Sequence, residues 1–461
     1  MYTACLLSAC ATQTYDAKPI ESASLESSFA ARNLEDAGLR NYMLAQGYPQ
    51  NALPIKQWGL RELTLAAYYF HPDLNVARAQ WQAAQAAEIT AGQRPNPGVS
   101  GALEHHSKTD GGISPWTYGI SLAVPVETAG KRQARMDQVT SLSEAARIEI
   151  GQSAWQVRSH LRDSLLEYQA ALRRISLLQQ EVILHAEILQ MLENRLQAGL
   201  ASSMEVSNTR LQLQKAQHGV EAEKGRAAGL RSSVAAAAGL PSSALDGVQF
   251  DNVLPDRGTV GDNLSAQNIQ RTGLLNRLDM RSALARYEAT EANLRLEIAR
   301  QYPDITLSPG YLWDQGDVQW SLGLSTILAL MNKNEGPIAE ARAARELQAS
   351  QFNALQTRII GELEQSLINY QAGTERVIKA EHLLAAQQLR TAQTEHQFGA
   401  GYADRLELAQ ARLQALAVEQ GVLDAKINAQ QALNALEDAV QRPLDGSAPL
   451  PEIPQEVIPN E

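Results

Sequence analysis

The chain has 461 residues, a formal net charge of −11 and two cysteines, Cys5 and Cys10. That acidity argues against nucleic acid as a partner, and two cysteines build neither a disulfide framework nor a cysteine-based zinc site. Aromatic residues make up only 5%, while Ala, Leu, Gln and Glu crowd the chain. This is the composition of long helices, and no stretch reaches the ~20 apolar residues of a membrane-spanning helix, so any membrane crossing must use strands.

Residues 1–10 end in Leu7-Ser8-Ala9-Cys10, which reads as the remnant of an export signal with a lipobox: small residues admit a signal peptidase and the Cys10 thiol takes the lipid (palmitate). The alternative is a chance cysteine. The stretch before Cys10 is short and lacks Lys or Arg, so the start of the natural chain is expected upstream or trimmed. Residues 11–59 have weak periodicity and are expected to form an extended or partly helical N-terminal arm.

A first structural unit is expected over 60–240. Leu60 opens a helical pattern, Pro72 breaks it, and Asp73 is placed to cap an Ala-rich helix that runs to Gly92. Two strands follow, at about 98–106 and 116–125. In the second, Trp116, Tyr118, Ile120, Leu122 and Val124 alternate with Thr117, Gly119, Ser121 and Ala123, a large apolar face against a small polar one. Such a hairpin either packs under helices or turns its large face to lipid and its small face to a lumen. From Lys131 to Gln197 the pattern gives a helix ~100 Å long at ~1.5 Å per residue. Leu161, Leu165, Tyr168, Leu172, Ile175, Val182, Leu189, Leu192 and Leu196 make its coiled-coil seam. The chain breaks at Ala198-Gly199 and returns as a helix to about Ala238.

Residues 241–267 are a Pro/Gly/Asp linker. A second unit over 268–442 repeats the first, with strands at about 304–313 and 318–328, a long helix opened by Gly336-Pro337, and a break at Ala400-Gly401. Residues 443–461 form a Pro-rich extended tail. The same offset of 202 residues separates Gly199 from Gly401, Glu205 from Glu407 and Tyr168 from Tyr370, so the chain is a duplication of a helix–strand–strand–long helix–helix unit. The fold class is mainly α with a small β part. Four strands cannot stand alone in lipid, because their edges leave unpaired backbone groups. A membrane reading therefore requires several copies to close one barrel.

His71-Pro-Asp-Leu74, Gly92-Gln-Arg-Pro-Asn-Pro97, the paired Ala-Gly breaks and Tyr302-Pro-Asp-Ile305 resemble the outer-membrane factor (TolC-like) family of efflux channels. The run Glu127-Thr-Ala-Gly-Lys-Arg132 is similar to the Glu-Leu-Gly-Gly-Lys-Arg of its heavy-metal (CzcC-like) branch, with Thr-Ala in place of Leu-Gly. The resemblance implies a homotrimer in the cell outer membrane, a shared twelve-stranded barrel and a periplasmic helical tunnel. It also implies docking to a periplasmic adaptor (membrane fusion) protein and an inner-membrane RND-type pump. The expected function is passive export of heavy-metal cations through a gated duct. Drug efflux or type I protein secretion on the same fold is the alternative. A periplasmic coiled-coil adaptor is a rival from another class, disfavoured because it should carry one helical hairpin rather than two.

The resemblance places an acidic pair at the closed periplasmic entrance, matched here by Asp404 and Glu407, with Glu205 as the first-half counterpart and Ser202 where Asp404 would stand. A ring of such carboxylates attracts cations and raises its own pKa values by mutual repulsion. The competing reading is ordinary helix-start charge. Gly199 and Gly401 are expected to allow the reversal at the tips, which the resemblance makes the adaptor-docking surface. His105 and His106 point to opposite faces of a strand and cannot chelate one ion together. No metal site, cofactor or catalytic cluster is expected, and the chain does not read as an enzyme.

Overall fold

Two units of like build follow one another in a computed structural model of the chain, which describes residues 14–108, 111–251 and 266–444. Cys10, much of the linker and nearly all of the C-terminal tail lie outside the described residues. An arm with two short helices, α1 (Ser22–Ala30) and α2 (Ala37–Ala45), comes first. The first unit is α3 (Leu60–Phe70), α4 (Pro72–Gly92), β1 (Gly98–His105), β2 (Trp116–Val126), α5 (Lys131–Gln197) and α6 (Ser203–Ala237). The second is α7 (Ala266–Asn276), α8 (Leu278–Ala299), β3 (Ile305–Asp314), β4 (Asp317–Thr326), α9 (Glu335–Gly399) and α10 (Arg405–Val440). Strand β4 thus stops short of the expected end at 328, because Ile327 and Leu328 leave the ladder.

The helices stack end to end against their long partners. The α6 C-terminus meets the α4 N-terminus at Gly239, where an added Cβ would stand 2.8 Å from the Cα of His71. Gly239 has φ +71°, so this position demands glycine twice over. Arg32 closes the joint by donating to the carbonyls of Phe70 (3.0 Å) and Gly239 (2.9 Å), two acceptors that helix ends leave open. The cap of α4 differs from expectation: His71 Nδ1 accepts from the Asp73 N–H at 3.3 Å, and Asp73 sits in the first turn instead. In the second unit the α10 C-terminus meets α8. There Gln441 Oε1 accepts from the Leu278 N–H at 2.7 Å, and Arg277 donates to the Ala439 carbonyl at 3.0 Å.

The helical layer runs α4–α5–α8–α9 in its upper half and α6–α5–α10–α9 in its lower half. Two apolar clusters lie where the end-to-end joints fall. One gathers Leu63, Tyr68, Leu161, Leu165, Val234 and Phe250, and Leu39 and Met43 of α2 enter it. The arm is therefore part of the core at α2, while α1 is exposed. The other gathers Ile269, Met280, Ile359, Leu363, Leu367 and Leu436.

A single seam understates α5. Leu161, Leu165 and Leu192 are buried, but Tyr168, Leu172, Ile175, Val182 and Leu189 are half-buried and Leu196 is exposed. Ala154, Ala170, Leu177 and Ile188 are buried instead. The reason is that α5 has neighbours on two sides, so its apolar residues must serve more than one stripe.

Strands β1-β2-β3-β4 form one antiparallel sheet in chain order. Among the described residues no helix is long and apolar enough to cross a membrane.

Candidate channel and gate

The register sorts the sheet into two faces. Val124 pairs with Leu307 and Leu307 with Leu324; Ile120 pairs with Tyr311 and Tyr311 with Trp320; Tyr118 pairs with Trp313 and Trp313 with Val318. These rows are apolar across three strands, and Leu122 extends to Val99 on β1. The other face carries Ser100, Ser121, Gly310 and Ser321 in one row. On β2, Trp116, Tyr118, Ile120 and Leu122 are exposed while Thr117 is buried and Gly119, Ser121 and Ala123 are half-buried, so the large side chains, not the small ones, look outward from this chain. Aromatics gather towards the hairpin turns: Tyr118 stacks on Trp313 (4.7 Å), Tyr311 meets Trp320 edge-on (5.0 Å) and His105 meets Trp116 (4.6 Å). An apolar band with an aromatic girdle is the surface of a membrane barrel. His106 turns the other way and bonds Thr117 Oγ1 at 2.9 Å.

Both outer strands keep free edges. Every residue of β1 and β4 is exposed. The free sides of the helical layer fall on the same two flanks, since α4 leads into β1 and α9 follows β4.

Sheet and helices are clamped by the motif at 127–132. Lys131 Nζ donates to Asp304 Oδ1 at 2.7 Å, the Thr128 N–H to the same oxygen at 2.9 Å, and Thr128 Oγ1 to the Pro303 carbonyl at 2.7 Å. Arg135 makes a two-pronged bond to Glu127 (2.8 and 3.2 Å) and reaches the Ala91 carbonyl. Two of the sequence's distinctive runs are thus one junction. Its backbone turns through left-handed residues at Ala129 (φ 55°) and Gly130 (φ 73°).

At the far end of α5 and α10 lie the tips. Gly199 and Gly401 have φ +77° and +81°, values that L side chains rarely adopt. Leu200 and Tyr402 stand 78% and 87% exposed at the turns. Asp404 is the N-cap of α10: its carboxylate accepts from the Glu407 N–H at 2.9 Å, and Glu407 reaches back to the Asp404 N–H at 3.1 Å. Ser202 and Glu205 make the same reciprocal box on α6. Asp404 has a further partner that the sequence does not announce, Arg195 at 2.6 Å. The Glu407 N–H first, and then Arg195, hold the Asp404 carboxyl below the usual aspartate range. The Ser202 backbone and hydroxyl do the same for Glu205. Within one chain, then, both carboxyls shift opposite to the rise expected of a repelling ring.

The Arg195–Asp404 pair joins the two repeats, and its repeat counterparts, Gln397 and Ser202, carry no charge. A second inter-repeat tie lies 33 residues up α5, ~50 Å along the helix. There Arg162 donates to Glu437 (2.9 Å), Asp438 (2.8 Å) and the Asn434 carbonyl (3.2 Å). Trp155 also donates to Asp438 (3.0 Å), and Arg158 stands 3.8 Å from Glu437. Arg158, Arg162 and Glu437 are buried. Periodicity could not have found this cluster, because its charged residues break the apolar pattern. Among the described residues no group of three metal-capable side chains comes together.

The chain is similar to several proteins of known type. It is 22% identical over 290 residues to the cobalt-zinc-cadmium resistance protein CzcC of Cupriavidus metallidurans, a match that covers 62% of this chain and 66% of that one, just under two thirds. Its fold matches the outer membrane protein VceC of Vibrio cholerae with a TM-score of 0.67 at 20% identity, covering 83% of this chain and 95% of that one. It matches the outer-membrane channel OprN with a TM-score of 0.68 at 19% identity, covering 84% and 90%. The sequence profile described as outer membrane efflux protein matches residues 67–239 and 271–440, one block in each repeat. The chain belongs to the outer membrane efflux protein family, whose members are channels and not enzymes, and its place is the outer membrane.

Proposed function

We propose that three copies of this chain close head to tail into one duct, with twelve strands as the barrel and twelve helical columns as a periplasmic tunnel. The observation that carries this reading is the coincidence of open flanks: β4 and α9 on one side, β1 with α4 and α6 on the other. The internal contact between the repeats supplies the pattern for the contact between copies, because β2 pairs directly with β3 and α5 packs on α8 and α10. A ring of such contacts leaves no strand edge in lipid.

The duct conducts passively, and energy comes from an inner-membrane RND-type pump reached through a periplasmic adaptor. The exposed tips around Gly199 and Gly401 are the docking surface, where Leu200 and Tyr402 offer apolar anchors. Asp404, Glu407 and Glu205 lie at the periplasmic gate. The buried Arg162–Glu437 cluster holds α10 to α5 at mid-height, Arg174–Asp424 and the apolar contacts of Leu177 with Leu416 and of Ile188 and Leu192 with Ala409 continue the joint downward, and Arg195–Asp404 closes it at the tip. Heavy-metal cations are the cargo, supported by the likeness to CzcC and by the acidic chain. Cys10 carries the lipid anchor. Deleting the gene in its native host should lower tolerance to cobalt, zinc or cadmium, and the intact gene should restore it. Unchanged metal tolerance together with a lost tolerance to organic toxicants would point to drug efflux instead.

A further inference from the structure

The link from strand to long helix differs between the repeats. Residues 127–130 lead from β2 into α5, whereas residues 327–334, twice as many, lead from β4 into α9. The longer link holds Ile327, Leu328, Leu330 and Met331, which are 86%, 65%, 77% and 100% exposed. It lines a hollow of about 900 Å³ together with Arg300, Tyr302 and Asp304, and exposed Lys333 stands near its end.

The apolar rows of the sheet are unequal in height. On β2 the row runs from Trp116 to Val126. That is about 33 Å along the strand at ~3.3 Å per residue and about 25 Å along the axis at a ~40° tilt, the height of a lipid-facing band. On β4 it runs only from Val318 to Leu324, about 20 Å along the strand and ~15 Å along the axis. The register locates the gap: the last row reads Val126, Ile305 and then the polar Thr326. The aliphatic run begins at the next residue.

We propose that residues 327–331 are a lipid-contacting apron that completes the apolar band on the periplasmic side beneath β4, with Lys333 at the level of the phosphate headgroups. The inference rests on the barrel reading above. Two other settings fit the run less well. The lumen-face residues nearest the run, Thr306, Ser308, Gly323 and Ser325, are small or polar, and the segment of a second copy that would adjoin it before β1 is Gln93-Arg-Pro-Asn-Pro97. Acyl chains are the environment that matches four exposed aliphatic side chains in continuity with a lipid-facing row.

The test uses the full chain with Cys5→Ser and Cys10→Ser, carrying one cysteine at Leu328, Met331, Leu322 or Ser321 and labelled with an environment-sensitive fluorophore. Each protein is reconstituted in phosphatidylcholine vesicles with and without brominated acyl chains. Labels at Leu328 and Met331 should be quenched at least twofold, as at Leu322, while Ser321 should not be. Quenching at Leu322 but not at 328 or 331 overturns this inference alone and assigns the run to water or to a second copy. Absence of quenching at Leu322 as well overturns the barrel reading and the apron with it.

Discussion

Replacing Glu437 with Gln takes the one buried carboxylate away from a pair of buried guanidinium groups. Arg158 and Arg162 are 6–7% exposed in place, and Glu437 lies 2.9 Å from one and 3.8 Å from the other. The amide keeps the volume but removes the charge, and the remaining acids, Asp438 and Asp163, are 35% and 54% exposed. Breaking a buried ion pair by neutralising one partner costs about 3–5 kcal/mol. Because Asp438 still holds Arg162, the lower end, about 3 kcal/mol, is expected. Guanidinium unfolding of the detergent-solubilised protein, followed by helical circular dichroism, reads it. Glu375→Gln, which breaks only the exposed pair with Lys379, should superimpose on wild type. A Glu437→Gln shift of under about 1 kcal/mol would show that the cluster is hydrated and does not fasten the repeats.

Leu322→Lys, on the outward apolar face, should cost about 2–4 kcal/mol of assembly in a membrane, while Ser321→Lys should be tolerated; equal yields of heat-modifiable protein would contradict the face assignment. Ala129→Gly relieves a left-handed alanine (φ 55°) and should raise stability by about 0.5–1 kcal/mol in the same unfolding assay; a loss would mean that the turn does not constrain the junction. The lowered carboxyl of Asp404 stabilises the tip above the ordinary aspartate value of about 4 and ceases to do so as pH falls through its own lower value. Protection against hydrogen exchange in 398–410, corrected for the intrinsic rate at each pH, should therefore fall in acid for wild type, and Asp404→Asn should remove that pH response; an identical profile would detach the tip from this residue. In planar bilayers, Asp404→Ala with Glu407→Ala should raise resting conductance and lower cation preference, and records matching wild type would leave both as helix caps only. Cys10→Ser should abolish fatty-acid labelling in the native host, and unlabelled wild type would end the lipoprotein reading.

The repeat, the strand faces and the tip reversals were legible in the sequence because each rests on a local rule. Side chains alternate with period two, and Gly199 and Gly401 sit where φ must be positive. What escaped was set by contacts between distant segments. Arg195 meets Asp404 across 209 positions, and nothing in either neighbourhood marks the partner. Leu39 and Met43 are too few to show a period, yet they anchor α2 in the core. The α5 seam was misassigned because a helix between two neighbours has no single stripe. Ala129 is a residue type that seldom turns left-handed, so the junction's geometry could not be read from its composition. At the tips the sequence supplied the residues but not their engagement. Asp404 and Glu407 cap a helix first, and any action on ions must work through that cap.

Closure of copies head to tail is the claim on which the rest depends, and disulfide trapping at the open edges tests it directly. In one chain β1 and β4 are the two outer strands of the sheet, so a bond between them can form only between copies. Leu103→Cys combined in turn with Val318→Cys, Trp320→Cys, Leu322→Cys or Leu324→Cys, in a chain with Cys5→Ser and Cys10→Ser, samples the registers along the apolar row of β4. Oxidation in outer-membrane fractions should give, for one of these combinations, a ladder of covalent species that stops at three copies. Monomer alone in every combination, or a ladder that continues beyond three, would contradict the closed trimer.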